Sequence, residues 1–441
     1  MQPVDTQTLH ELQILSKTAK ERSILNFFDH TRTQGGQDAL KKLIGIPKKS
    51  IKEILSFQQL LTFVNDNLSN WELKVSRAYI AASESYYASN ISYTMSQDVF
   101  MHWIETCIYS LRHPAEFYFV QSGLTATMLL IRGMRDMLFG FAEADIPEEL
   151  KDDFSFLREF LFSTSMNSFV QTKSNHLSLT SIFYRDFYFR VKNKDAFRRM
   201  LNLCYLFDAY ASIAKTQQLH QFVFPRFAGK DTIFEVKKIW HPLISGAVHN
   251  SFELGTRQTL CLLTGANTSG KTTFLKTCGA TVYLAHLGWP VPAEYVQLSF
   301  SDRLFTSIHL SDNLELGYSH FYNEIMRIKS IAEALHNGSK CFVIVDELFR
   351  GTNQEDAFHC SRTVIEGFLK RQDSVFLIST HLYGLLEYFA DTASISFRCF
   401  RTLITANDFE NTFQIEEGIA SEKIGQLILK KVGITELLGR K

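Results

Sequence analysis

Apolar positions in the first half of the chain recur at helical spacing. Ser50-Ile-Lys-Glu53 sets a serine and a glutamate three residues apart, where each side chain satisfies the other's orphan N–H. Ile54, Leu55, Leu60 and Leu61 then continue on a helical repeat. Phe154, Leu157, Phe160 and Leu161 form a second stripe of the same period. The most apolar stretch, Thr125–Phe141, is interrupted by Arg132, Arg135 and Asp136, which suits a buried helix and not a bilayer span. The rhythm changes near Pro225, before which only six of the 22 glycines fall. Beyond it, Leu260–Thr264, Cys341–Val345 and Val375–Ser379 are short apolar runs without alternation, each leading directly into polar residues. Such runs read as strands buried on both faces and separated by helices. They predict a parallel sheet with its ligands at the carboxyl ends of the strands. The expected organisation is an α-helical domain over 1–225 followed by an α/β domain over 226–441, with no internal repeat.

Composition adds limits to this picture. A chain of 441 residues, 45% apolar and 21% charged, has enough material for two or three folded domains. Its 38 phenylalanines point to bulky helix packing. Lys+Arg and Asp+Glu balance at 46 each, and a neutral total neither indicates nor excludes a local basic stripe for DNA. The seven cysteines include no CxxC pair, which argues against a zinc knuckle or a disulfide framework and for a reduced, cytoplasmic setting. The opening MQPVDTQTLHELQ lacks the apolar core of a signal peptide, so no membrane partner is expected.

Three of the strand ends carry candidate chemistry. Gly265-Ala-Asn-Thr-Ser-Gly270-Lys271-Thr272 fits GxxxxGK[ST] between a strand and a helix. Glycines let such a backbone curl, so that its N–H groups face phosphate oxygens at the positive end of the following helix. Gly265, Asn267, Ser269, Gly270, Lys271, Thr272 and Thr273 are therefore candidate ATP-binding residues. Lys271 would reach the β- and γ-phosphates and the Thr272 hydroxyl would ligate Mg²⁺. Asp346 and Glu347 follow the second strand. Alone, such a pair is most often a helix cap. Beside a phosphate loop, Asp346 is a Mg²⁺ ligand and Glu347 the residue that orients or deprotonates water. Ser379-Thr-His381 ends the third strand, where His381 would contact the γ-phosphate or the attacking water. The same histidine by itself would more often be structural.

These blocks, in this order, resemble the ATPase domain of the MutS family of DNA mismatch-repair proteins. GPNMGGKS of the family stands here as Gly265-Ala-Asn-Thr-Ser-Gly-Lys-Thr272, and DELGRGTS as Asp346-Glu-Leu-Phe-Arg-Gly-Thr-Asn353. Gly288-Trp-Pro-Val-Pro-Ala293, Asp302-Arg-Leu-Phe-Thr-Ser-Ile308, Gly317-Tyr-Ser319-His-Phe-Tyr-Asn-Glu324, Ser379-Thr-His381 and Glu417-Gly-Ile-Ala-Ser421 with Gly425 are similar to further family segments. In the first half, Ser23–Gly35, and then Asp208 through Pro225 to His241-Pro242, look like the start and end of the family's helical core. The resemblance implies a lever-like helical domain followed by a P-loop NTPase domain of ABC/MutS type. It also implies a homodimer with composite ATP sites, in which Ser319 approaches the nucleotide of the other subunit; the residue-level alternative is a helix cap ahead of Glu324. Ala266, His320 and Phe349 depart from the family's Pro, Thr and Gly. The chain looks shorter than the family's lever and clamp, and the family's mismatch-reading and connector domains have no counterpart in it.

Two other features read as structure. Phe141-x-Glu143 imitates the family's mismatch wedge, but it sits in an apolar helical segment and is expected in the core. The run Ile182-Phe-Tyr-Arg-Asp-Phe-Tyr-Phe-Arg190 is expected as a packed element with a solvated edge and not as a stacking surface for single strands. The function expected is that of an ATP-hydrolysing, DNA-binding MutS relative acting in repair, with a repair protein as a possible partner. The alternative is an ATP-driven switch that binds a protein and does not read DNA. A transporter-type ATPase would need an LSGGQ-like signature, which Gly317-Tyr-Ser-His-Phe does not supply.

Overall fold

The computed structural model describes residues 1–16, 18, 21–71, 73–89, 91, 99–171, 178–229, 231–308, 320–405, 409–420, 429 and 432–439. Its helices up to residue 220 are α1 (Thr6–Glu11), α2 (Ile24–Phe28), α3 (Gln34–Ile44), α4 (Ile51–Asp66), α5 (Leu68–Trp71), α6 (Arg77–Ala88), α7 (Val99–Arg112), α8 (Pro114–Phe139), α9 (Glu148–Leu161), α10 (Thr164–Gln171), α11 (Leu179–Phe187) and α12 (Lys194–His220). Strands β1 (Arg226–Ala228), β2 (Phe234–Ile239), β3 (Asn250–Leu254) and β4 (Leu260–Gly265) follow. Next come α13 (Lys271–Leu287), β5 (Tyr295–Ser299), β6 (Arg303–Ser307), α14 (His320–His336) and β7 (Cys341–Asp346). The last elements are α15 (Gln354–Phe368), β8 (Val375–Ser379), α16 (Tyr383–Tyr388), β9 (Ile395–Ile404), β10 (Phe409–Glu417) and α17 (Ile434–Gly439). The chain divides into two compact units, residues 29–43 with 59–216, and residues 1–28, 44–58 and 217–441.

The first of these units is helical. Pro114 opens α8 at a position where a missing N–H costs nothing. α6 lies close on α8 because Gly123 has no side chain: a Cβ there would stand 2.6 Å from the Tyr86 ring. The charges that interrupt the apolar stretch are accommodated singly. Arg132 donates to Val170 O at 2.7 Å, and the Arg135 guanidinium lies 4.5 Å from the centre of the Phe162 ring. Phe141 is buried in contact with Phe63, Trp71 and Phe154, as its apolar setting predicts.

The run 182–190 packs as expected, with Ile182, Phe183 and Phe189 buried, but its solvated edge is aromatic and two of its charges lie inside. Tyr184 and Phe187 are exposed, whereas Arg185 and Asp186 are buried. The reason is pairing: Asp186 accepts from Arg190 at 2.6 and 2.8 Å and from the Tyr86 hydroxyl, and Arg185 donates to Phe169 O at 3.1 Å. Buried charges persist where partners of this kind replace water.

The second unit is α/β. Its main sheet has the order β10-β9-β4-β8-β7-β6, all parallel except the β10 edge. The three runs expected as buried strands are β4, β7 and β8, side by side at its centre. Leu262, Val343, Ile344 and Ile378 are fully shielded, and burying such a side chain contributes about 1.5–3 kcal/mol. Register then fixes the chemistry: Leu263 pairs with Ser379 and Asp346 with Ser379, so all three strands end at one level. A smaller sheet, β1-β5-β2-β3, completes the unit. Among the described residues no helix is long and apolar enough to cross a membrane.

Candidate functional site

β4 leaves the sheet at Gly265, whose φ is +141°. A Cβ there would come within 2.8 Å of Phe400 O and 2.7 Å of Ser269 Oγ, so the position excludes any side chain. The buried Ser269 hydroxyl donates to Ala266 O at 2.8 Å and closes the loop. Gly270, at φ +104°, turns the chain into α13. Lys271 folds back over this loop, its Nζ donating to Gly265 O at 2.6 Å and Ala266 O at 2.9 Å. Burial pushes the Lys271 pKa down, against the opposing pull of Glu347 and Asp346. Asn267 and Thr268 form the exposed tip, and Asn411 of β10 donates to Thr268 O at 3.1 Å.

The acidic pair lies beside this loop. Asp346 is buried, with Oδ2 accepting from Thr272 Oγ1 at 2.6 Å and Oδ1 from Ser379 Oγ at 2.5 Å. A hydroxyl and a carboxylate converging in this way are the hard oxygen donors that suit Mg²⁺, which needs few protein ligands. Among the described residues there is no cluster of three or more His, Cys, Asp or Glu side chains able to hold a metal. Glu347 has φ +65°, and its N–H donates to Ser379 Oγ at 3.1 Å and Ser379 O at 3.2 Å. Its carboxylate lies between two cationic or polar heads: His381 Nε2 is 2.8 Å from Oε1 and Arg350 Nε 2.5 Å from Oε2. Burial alone would raise the Glu347 pKa. The His381 hydrogen bond, with Arg350 and Lys271, outweighs it and holds the carboxyl below its ordinary value.

A cleft of about 520 Å³ opens alongside, floored by Lys271, Thr272 and Thr273 and walled by Trp240, His241 and Phe413. Trp240 stacks on His249 with centroids 4.7 Å apart. Burial, assisted by Lys276, depresses His241 to about 4.

The structure thus brings Lys271, Thr272, Asp346, Glu347 and His381 together, with Gly265, Ser269, Gly270 and Thr273 forming the loop and its exit. Asn267 is at the exposed tip. Ser319, Gly317, Ser421 and Gly425 lie outside the described residues. Sequence reasoning assigned no role to the Ser379 hydroxyl, Arg350 or the Trp240-His241 wall. Ser379, Arg350 and His241 stood within quoted segments and Trp240 did not; only strand register and loop return reveal their contacts.

Residues 261–438 match the family model of MutS domain V. That match spans β4 through α17, the stretch that carries every strand end just described. Over this stretch the chain is similar to the MutS family. It is 30% identical over 230 residues to MutS protein homolog 4 of Mus musculus, covering 49% of this chain and 23% of that protein. Endonuclease MutS2 of Thermus thermophilus is 29% identical over 236 residues, 54% of this chain and 30% of its own. DNA mismatch repair protein MutS of Caldanaerobacter subterraneus subsp. tengcongensis is 29% identical over 188 residues, 41% of this chain and 21% of its own. The chain therefore spans under a third of the length of these MutS relatives.

Proposed function

We propose that this chain is a member of the MutS family, and that it binds ATP with Mg²⁺ and hydrolyses it to ADP and phosphate at the shared end of β4, β8 and β7. The observation that carries this reading is the convergence of Thr272, Asp346, Glu347 and His381 on the loop that Lys271 covers. In this reading 226–441 is the ATPase domain and the lever-like domain lies within 1–225, of which residues 1–28, 44–58 and 217–225 belong to the α/β unit. The N–H groups of Gly265–Thr273 face the phosphates, with Asn267, Ser269 and Gly270 shaping the turn. Lys271 exchanges Gly265 O and Ala266 O for phosphate oxygens. Thr272 and Asp346 hold Mg²⁺, which when bound supplies charge neutralisation on the phosphates. Glu347 orients the attacking water and takes its proton, and His381 fixes the Glu347 carboxylate and meets the γ-phosphate. Ser319 completes the site of a second copy, so that a homodimer has two composite sites. The names of the relatives, an endonuclease and a DNA mismatch repair protein among them, support a DNA-binding, repair-associated role, and a cytoplasmic setting is proposed on the cysteine pattern alone.

A second reading, an ATP-driven switch that engages a protein, is favoured by one feature. Trp103 and Leu111 on α7, Tyr118 on α8 and Phe187 on α11 are all exposed, apolar side chains that suit a protein better than phosphates. Equilibrium binding of a fluorescent ATP analogue, with and without DNA, tests both. Wild type should bind with Mg²⁺, and Lys271→Ala should lose about 10²-fold or more in affinity, the worth of a charge-assisted contact to phosphate in a desolvated loop. DNA binding that weakens steeply with salt supports the repair reading. Indifference to duplex, mismatch and junction favours the switch. Equal affinity of Lys271→Ala and wild type would remove the phosphate loop from the account.

A further inference from the structure

The six-residue helix α1 is 295 positions away in sequence from its main partner, Thr306. Glu11, buried at its end, accepts from Thr306 Oγ1 at 2.6 Å and from the Ile308 N–H at 3.1 Å, and its other oxygen accepts from Gln7 at 2.9 Å. β6 thereby has its last turn of backbone tied down where it runs beside β7, with Ser307 opposite Val345 and Asp346 one residue further on. At its start, α1 grips the next element. Arg327 of α14 donates to Thr8 Oγ1 at 2.6 Å, Asp5 Oδ2 at 3.1 Å and Thr306 O at 2.8 Å. α14 in turn touches the turn that carries Glu347. The Phe321 and Phe349 rings are 5.8 Å apart, and a Cβ on Gly351 would stand 2.8 Å from Phe321 N. α14 therefore joins two sets of contacts, Arg327 with Asp5, Thr8 and Thr306 on one side and Phe321 with Phe349 and Gly351 on the other.

We propose that α1 is a positioning element for the candidate catalytic turn: Glu11, with Asp5 and Thr8 acting on Arg327, fixes β6 and α14 so that Phe321 holds Phe349 and Gly351, and with them Glu347. This rests on the ATPase reading for its consequence but not for its geometry. Glu11 is a buried carboxylate with its acceptor sites filled by a hydroxyl, a backbone N–H and an amide. Glutamine in its place keeps the shape and loses both the charge and one acceptor. The effect should therefore be local repositioning and not loss of the fold. Neither Glu11 nor Arg327 lines the cleft, so nucleotide affinity should be preserved while turnover suffers.

The test compares wild type, Glu11→Gln, Arg327→Gln and the double variant. Amide hydrogen exchange without nucleotide should be faster at residues 347–353 in each single variant, with β4 and β8 unchanged. Fluorescent-nucleotide affinity should stay within about twofold while turnover falls about tenfold, the range expected of coupling through packed contacts. The double variant should be no worse than the poorer single one, since both act through one route. Unchanged exchange at 347–353 in both variants, or affinity falling in step with turnover, overturns the proposal. Should wild type fail to bind ATP, the ATPase reading falls, while the exchange measurement still decides whether α1 positions the turn.

Discussion

Glu347 and Phe349, on the turn that follows β7, have φ values of +65° and +59°. A left-handed conformation costs a residue with a Cβ roughly 1–2 kcal/mol, and such outliers gather at functional sites. The strain at Glu347 is held by two hydrogen bonds to Ser379 and by His381 and Arg350. At Phe349, where the resembling family has glycine, the compensation is burial in the sheet's core cluster. Phe349→Gly would relieve the backbone but empty the ring's site, and removal of a buried Phe costs about 3–5 kcal/mol. The net expectation is a loss of about 2 kcal/mol in stability, read by denaturant unfolding; equal or greater stability would contradict the assignment of the ring to the core. At this scale the sequence named Lys271, Thr272, Asp346, Glu347 and His381, since motif spacing alone places them. It left out Ser379 and Arg350, because a hydroxyl becomes a partner of Asp346 only once β7 and β8 are in register.

At the scale of elements, the buried strands were legible because unbroken apolar runs have few other uses. α13 shows a different limit. It is buried on almost every side, including His286, whose Nδ1 lies 2.7 Å from Val282 O while its Nε2 accepts the Ser301 N–H at 3.0 Å. Accepting at Nε2 requires the neutral ring with its proton on Nδ1, and burial, outweighing the Val282 hydrogen bond, drives its pKa down to about 3. The sign of the consequence follows directly. The unfolded chain takes up this proton near the ordinary histidine pKa of about 6.5 and the folded one only near 3, so stability is full above the first value and falls as pH drops between them. His241 adds to the same trend, with its own value near 4. The thermal midpoint of wild type should therefore fall between pH 7 and pH 5, and His286→Gln should flatten that fall; parallel pH profiles for the two would contradict it. The docking of α1 and the burial of Asp186 within the 182–190 run were not legible for a shared reason. The partners that decide them, Thr306 for Glu11 and Tyr86 for Asp186, are remote in sequence.

For the whole molecule, the formal charge of zero leaves partners undecided, and the family match is concentrated in the α/β half. What unites the observations is one site, in which a phosphate-loop lysine, a hydroxyl–carboxylate pair and a histidine-held glutamate end on neighbouring strands. The central claim is that this site hydrolyses ATP through Glu347. It is tested most directly by measuring ATP binding and turnover in parallel for wild type and Glu347→Gln. The variant should bind ATP as wild type does, since Lys271, Thr272 and Asp346 are intact. Its turnover should fall about 10²-fold or more, the contribution expected of a positioned general base. Turnover equal to wild type in Glu347→Gln would contradict the account.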